Sequence, residues 1–520
     1  MSFADDSTAN GSGTRNSSSS SGSPVETEVK ICAERDLEAG LEDTRDGRKE
    51  KVDAAKDPNK VGWEGPDDPN NPMNWPHWQK MTQVVLVSVM TMMTSLATTM
   101  FAPGVAQLME DFNCTNSNLG AFTVSVYVLG FAVAPLVIAP LSETYGRLVL
   151  YLEACLLFII FTMACALSKN MAMFIVFRLL AGCAGSAPLA LGGGTIADLI
   201  PQEERGGAMA MFAIGPLLGP VIGPIIGGFI TEYVGWRWVF WVLTIAMGVV
   251  AIVFLILMRE TYGVVILKRK AAKLRKSTGN PLLSSINDTG RDPRVLLRIA
   301  IVRPVKMLAF QPIVLLMSIY TAVVFGYMFL LFTTFSAVFE EQYHFSESVI
   351  GLSYLGLGIG MFIGLIGFSK LSDRTLKRRA KEGDGEMKPE YRLPLMMYSS
   401  PVLPIGFFLY GWSAQAHTHW IVPIIGTGII GVGIICIFLA VQTYLVDSFP
   451  TYAASVLSAN TVLRCIVGAI LPLAGDSMYA TLGLGWGNSL LAFIALAFIP
   501  VPWLFYQYGE QLRKRNQREL

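Results

Sequence analysis

Arg178 stands in an apolar run, residues 171–197, that holds no other charge. A charged group at such depth costs at least ~2.5–3.5 kcal/mol and faces the interior of a helix bundle rather than lipid. Arginine keeps its proton, so Arg178 cannot release one. Its chemistry is electrostatic: tuning a nearby carboxylate, or binding a polarised group on a ligand. The alternative is structural, with the guanidinium bonded to carbonyls of a neighbouring helix. The acids within reach of apolar runs are Glu153, inside one, and Asp198 and Asp447, at the ends of two others. Glu153 and Asp198 are the candidates for taking up a proton alongside Arg178; boundary salt bridges are the competing reading for all three acids.

Other chemistries lack their residues. There is no G-x-x-x-x-G-K-[ST] to cradle a nucleotide, and His77, His344, His417 and His419 form no H-E-x-x-H or metal cluster. The seven cysteines (32, 114, 155, 165, 183, 436 and 465) contain no C-x-x-C, and five lie in apolar segments. They read as small buried apolar residues, not as a disulfide framework. No enzyme, cofactor, metal or nucleic-acid partner is expected.

The elements that position these residues are membrane spans. The chain is 52% hydrophobic and 15% charged, with mean hydropathy +0.48 and net charge +1; soluble proteins carry about 25% charged residues. A span needs ~20 apolar residues, and twelve candidates follow: 82–101, 119–140, 148–168, 171–197, 207–230, 237–258, 312–335, 350–369, 394–413, 420–444, 454–474 and 487–508. No secretory signal precedes the first, which is expected to serve as its own insertion signal.

Lysine and arginine set the orientation. Loops 102–118, 338–349, 414–419 and 475–486 contain neither, and 168–170 has only Lys169. The opposite side holds Arg147, Arg205, the run Arg259–Lys306, the run Lys370–Arg392 and Arg513–Arg518. Both termini are therefore expected in the cytoplasm. Asn113-Cys114-Thr115 falls outside as a glycosylation sequon. The layout is a disordered tail (1–75, Ser/Gly-rich over 10–23), a six-helix half (76–258), a basic amphipathic linker (259–310), a second six-helix half (311–510) and a short tail (511–520).

The halves echo each other. Leu141–Arg147 (LSETYGR) follows span 2 and Leu371–Arg378 (LSDRTLKR) follows span 8; Thr195–Pro201 and Tyr444–Pro450 end spans 4 and 10 with a shared Asp-x-x-Pro. Equivalent spans run the same way, so the halves are parallel repeats. That arrangement places a ligand site near the midplane between them and makes rocking the motion. Span 5 adds a stripe, Gly215, Gly219, Gly223 and Gly227, with Pro216, Pro220 and Pro224 beside it. Glycine every fourth residue bares one helix face for close packing. The expectation is a hinge surface toward the second half, so that Gly223→Val or Gly227→Val stops exchange with folding less affected.

With these motifs the chain resembles the major facilitator superfamily, and within it the fungal drug:proton antiporters of twelve spans, over about residues 66–515. LSETYGR is similar to the family's loop motif G-x-L-x-D-R-x-G-R-[RK], in degenerate form: Ala139 replaces the first Gly and Glu143 the Asp, while Gly146 and Arg147 are kept. Phe177–Pro188 resembles the span 4 motif with its intramembrane arginine, Gly223–Gly228 (GPIIGG) the span 5 antiporter motif, and Asn71–Trp75 and Gly192–Ala210 the fungal branch. The resemblance implies an all-α membrane protein with the major facilitator fold. It implies a monomeric, proton-driven exporter of a hydrophobic or amphipathic small molecule (drug, fungicide or secondary metabolite) at the plasma membrane, with Arg178 in the coupling. A cytoplasmic gate would use Glu143, Gly146, Arg147 and Arg205 with Asp373, Arg374 and Lys377, and Arg464 as a further partner of the first-half loop. Tyr127, Phe131, Tyr320, Tyr327, Gln442 and Tyr444 are candidates for the substrate cavity, with packing as the alternative for the aromatics. The rival readings are a proton-coupled uptake symporter and a transport-inactive sensor on the same fold.

Overall fold

The computed structural model describes residues 59–516, apart from 66, 202–203, 287–292, 383–387 and 450–451. Most of the expected N-terminal tail (1–58) and the last four residues lie outside the described residues. Lys60–Val61 pairs in parallel with Ser284–Ser285, and these belong to a small unit of their own. The membrane-spanning helices form the other unit.

Among the described residues, eleven helical stretches are long and apolar enough to cross a membrane. The last, Ala453–Leu512, is two crossings. Gly483 breaks it with φ 73°, and the Tyr479 hydroxyl donates to Asn488 Oδ1 at 3.1 Å. Nine residues of continuous helix would hold those positions about 13 Å apart. The twelve spans of the sequence are thus present. Spans 1 to 6 are His77–Thr99, Ser117–Tyr145, Arg147–Ala166, Met171–Leu199, Arg205–Val234 and Trp236–Leu257. Linker helices Gly263–Thr278 and Pro293–Phe310 follow. Spans 7 to 10 are Pro312–Tyr343, Glu347–Glu382, Pro389–Gln415 and Ile421–Ser448. Span 11 opens with helix Ala453–Ile470, and span 12 lies beyond Gly483.

Sequence chemistry sets the ends. Asn116 and Asn170 cap spans 2 and 4 by accepting from Asn118 N and Met173 N. Gly146 (φ 105°) and Gly235 (φ 97°) turn the chain between spans 2 and 3 and between 5 and 6.

The repeat is visible in the packing. Span 1 packs on 5, 2 on 4, 3 on 4 and 3 on 6; in the second half 7 packs on 11, 8 on 10, 9 on 10 and 9 on 12. Two seams join the halves, span 5 on 8 and span 2 on 11, and these too are equivalents. Linker helix Pro293–Phe310 packs against both span 2 and span 11.

Candidate functional site

On the linker side each half closes on one arginine. Arg147, buried at the start of span 3, donates from Nη1 to Ser142 Oγ at 2.6 Å and from Nε to Asp198 Oδ2 at 3.2 Å. Its guanidinium lies 5.1 Å from the ring centroid of Tyr262, whose phenol is pushed up first by burial and then by the charge of Glu143. In the second half Arg392, at the foot of span 9, pairs with Asp447 and donates to Ser372 Oγ at 3.2 Å. Ser142 and Ser372 are the serines of the echoed loop motifs, and Asp198 and Asp447 are the aspartates of the echoed Asp-x-x-Pro. The shared letters are therefore two copies of one Ser–Arg–Asp clasp.

The sequence supplies the second arginine from another place than its motif suggests. Arg374 is exposed, the side chains of Arg205, Asp373 and Lys377 lie outside the described residues, and Glu143 is exposed. Glu260 was missed altogether. Its carboxylate accepts from Arg147 N at 2.9 Å and from Thr261 N and Tyr262 N, capping the start of span 3. A Cβ on Gly146 would come within 2.2 Å of it. The available signal was a lone acid following span 6 and a glycine before Arg147.

On the opposite side the halves touch directly. Glu232, near the end of span 5, accepts from Ser348 N at the start of span 8 at 2.8 Å. Gln107, after span 1, donates from Nε2 to Glu347 Oε2 and to Thr231 O, both at 3.2 Å. A Cβ on Gly228 would lie 2.4 Å from Glu347 O, and one on Gly351 2.6 Å from Pro224 O. By contrast, the ion pairs among the described residues on the linker side each stay within one half or its adjoining linker helix.

The glycine stripe faces elsewhere than expected. Gly215, Gly219, Gly223 and Gly227 are pressed on span 1 of their own half, where added Cβ atoms would meet Ser88 O at 3.0 Å, Leu96 N at 2.8 Å, Leu96 O at 2.9 Å and Met100 O at 1.7 Å. Pro224 removes the N–H that would satisfy Pro220 O, and Thr99 Oγ1 supplies the missing donor at 3.0 Å. Span 8 is met instead by the neighbouring face, at Val221, Pro224, Ile225 and Gly228, because one residue turns the helix by about 100°. The stripe is a seam inside the first half; the surface toward the second half is the neighbouring face. Gly227→Val would wedge the first half itself, which corrects the expectation that folding is less affected.

Arg178 is fully buried and donates to three main-chain carbonyls: Nε to Thr123 O at 3.2 Å, Nη1 to Ala97 O at 3.0 Å and Nη2 to Thr98 O at 3.3 Å. It ties span 4 to spans 1 and 2, over the ring of Tyr127 at 4.8 Å. Glu153 lies on the exposed face of span 3 with Leu156, Leu157 and Ile160. Asp198 is held by Arg147. The three residues nominated for proton coupling are thus not brought together.

Of the nominated cavity residues, Tyr127, Tyr320 and Tyr327 are buried with their hydroxyls bonded inside their own halves, to Thr94 O, Ser400 Oγ and Leu491 O. Phe131 packs on Tyr127 and Tyr444 on Phe505. Gln442 is half-buried. Asn113 is exposed in a turn with φ 50°.

Parallel six-helix halves with clasps on one face and a closed seam on the other define a two-half membrane transporter. The family model described as Major Facilitator Superfamily matches residues 87–472. The chain is 53% identical to an MFS-type transporter, penM, of Penicillium rubens over 92% of this chain and 94% of that one. It is 52% identical to MFS-type transporter atr4 of Stereocaulon alpinum, over 94% and 90% of the two chains. A solved D-xylose-proton symporter has TM-score 0.61 at 15% identity, covering 80% of this chain and 97% of its own. A bacterial homologue of the lysosomal transporter Spinster, inward-facing, has TM-score 0.59 at 13% identity, covering 85% and 99%. The chain belongs to the major facilitator superfamily, and it is a transporter rather than an enzyme.

Proposed function

We propose that this transporter exports hydrophobic or amphipathic small molecules from the cytoplasm by alternating access, driven by the inward proton gradient across the plasma membrane. The observation that carries alternating access is the asymmetry between the two faces. The halves are bonded across the face away from the linker by Glu232, Gln107, Glu347 and Ser348. On the linker face the pairs Arg147–Asp198 and Arg392–Asp447 each lie within one half. With the basic linker in the cytoplasm, this is a carrier closed to the outside, the form that an exporter loads. Opening outward requires breaking those two cross-half contacts and the hydrogen bond from Ser125 Oγ of span 2 to Ala469 O of span 11, 2.9 Å long, a cost that substrate or proton binding can offset.

Outward direction is supported by the span 5 motif and by the similarity to fungal MFS-type transporters. Of the residues nominated for coupling, Asp198 is the one whose protonation would change a contact: it would release Arg147 from its clasp. Arg178 acts as a girder of the first half.

The test is retention of a panel of radiolabelled amphipathic compounds by cells with and without the chain, in the presence and absence of a protonophore. Higher accumulation without the chain, reproduced by the protonophore in cells that have it, is expected. Lower accumulation without the chain would mean uptake, and no difference across the panel would favour the sensor reading.

A further inference from the structure

Span 11 holds a second buried arginine, and its bonding is the reverse of Arg178's. Arg464 is 9% exposed, and its Nε has no hydrogen-bond partner from the protein. No carboxylate pairs with it among the described residues. Its guanidinium carbon lies 4.9 Å from the ring centroid of Phe325 in span 7 and 5.0 Å from that of Phe438 in span 10. One helical turn earlier, Asn460 is fully buried, and neither its Oδ1 nor its Nδ2 has a partner.

The depth is informative. Arg464 is eleven residues into its helix, about 16 Å from the linker-side end at 1.5 Å per residue, which is the middle of a ~30 Å apolar core. Lipid headgroups do not reach there. The aromatic faces steady the cation by their π electrons, and the neighbouring Cys465 thiol is within reach of the guanidinium, but Nε is left without an acceptor. Buried donors of this kind are normally satisfied, and a charge left with a free donor in an apolar place is costly. Phe325, Phe438 and Gln442 are all only half-buried, so the surroundings of the guanidinium are not sealed. Span 11 is also one of the four spans that form the two seams between halves, packing on span 2.

We propose that Arg464 and Asn460, flanked by Phe325 and Phe438, form the subsite for the acidic group of the transported molecule. The substrate class is then an organic anion: an apolar, preferably flat body carrying one carboxylate-type group. The planar guanidinium fork matches the two oxygens of such a group. The Asn460 amide adds a donor to the same group, and its Oδ1 accepts from a neighbouring hydroxyl or N–H of the ligand. The rings that hold the cation also receive the apolar body. This deepens the reading of the chain as a carrier of small amphipathic molecules, and it is independent of the direction of transport.

The experiment is equilibrium titration of the purified full chain in phosphatidylcholine nanodiscs, which contain no anionic lipid, with 1-naphthaleneacetate and with its neutral counterpart 1-naphthaleneacetamide. The wild type is expected to bind the anion at least tenfold more tightly than the amide. Arg464→Met should bring the two affinities together, and Asn460→Ala should weaken the anion several-fold with the amide little changed. Equal binding of the two probes by the wild type, failure to bind the anion, or an unchanged preference in Arg464→Met overturns the proposal. Should Arg464→Met fail to give monodisperse protein, Arg464→Lys decides: it keeps the charge but loses the fork, so the preference should fall at least threefold, and an unchanged preference counts against the subsite. No gradient is imposed, so this outcome stands apart from the accumulation assay. Export could be disproved with the anion subsite intact, or the reverse.

Discussion

Spans 5 and 11 are the same element of the repeat put to different uses. Counted from the shared aspartates, Gly215 is seventeen residues after Asp198 (215 − 198), and Arg464 is seventeen after Asp447 (464 − 447). Gly219 and Gly468 correspond in the same way, each twenty-one residues on. Both helices pack on the first span of their own half and on a span of the other half. In span 5 the position is a bare glycine pressed on Ser88 and Met92, with no room for a side chain. In span 11 it is a long cation held between two phenyl rings with a donor to spare. Duplication explains the common scaffold, and the side chain at one position explains the division of labour. The first half is built tight, with its intramembrane arginine spent on three carbonyls, while the second half keeps its arginine open.

The largest expected effect lies in the tight seam. Gly227→Val places a branched side chain where a Cβ alone would sit 1.7 Å from Met100 O. Main chain on both sides cannot yield without moving span 1 from span 5. Overpacking of this kind costs typically 1–3 kcal/mol and more where backbone must shift. Loss of monodisperse protein is the expected outcome; normal yield and melting temperature would show that the seam is looser than it looks. Next comes the contrast between the arginines. Arg178→Met removes three charge-assisted bonds and should lower stability by about 2 kcal/mol, roughly the net worth of one such bond after desolvation is counted. Arg464→Met removes a buried cation with an unmade bond, so it should leave the melting temperature unchanged or raised. Thermal unfolding of both variants in one detergent checks the pair, and equal losses would erase the distinction between a girder and an open site.

Much of this was legible in the chain. Twelve spans, the six-plus-six division and the repeat followed from hydropathy, charge placement and two echoed motifs, because membrane spans declare themselves by length and by the satisfaction of their own backbone. The clasp was half legible: Ser142, Arg147 and Asp198 stand in motifs, but Arg392 reaches Asp447 from the foot of span 9, and sequence spacing carries no information about which of several basic residues in a loop folds back. Glu260 was illegible for the same reason, lying 113 positions from Arg147. The glycine stripe gave its closeness but not its partner, since a bare face says that some helix approaches without saying which. Arg464 was visible as a charge in a span. What distinguishes it from Arg178 is bonding, and that depends on which carbonyls and rings the packing brings near.

The smallest expected effect sits on the seam that must open, and it sharpens the difference between permanent and temporary contacts. Gly228 lies beside Gly227 but faces the other half, where an added Cβ would stand 2.4 Å from Glu347 O. Glu232 holds Ser348 N across the same seam. Neither contact supports its own half, so neither Gly228→Ala nor Glu232→Ala should lower the melting temperature appreciably. Each should instead weaken the closure and shift the population toward the form open on the side away from the linker. Glu232 is exposed, so the expected change in the ratio of the two forms is only a few-fold. Distances between spin labels on the ends of spans 5 and 8 away from the linker read that ratio directly. A longer-distance population that grows in both variants, with melting unchanged, is the expected result. An unchanged distribution would mean that the seam is held by helix packing along spans 5 and 8 rather than by its polar contacts, and that the closed side is as permanent as the glycine stripe next to it.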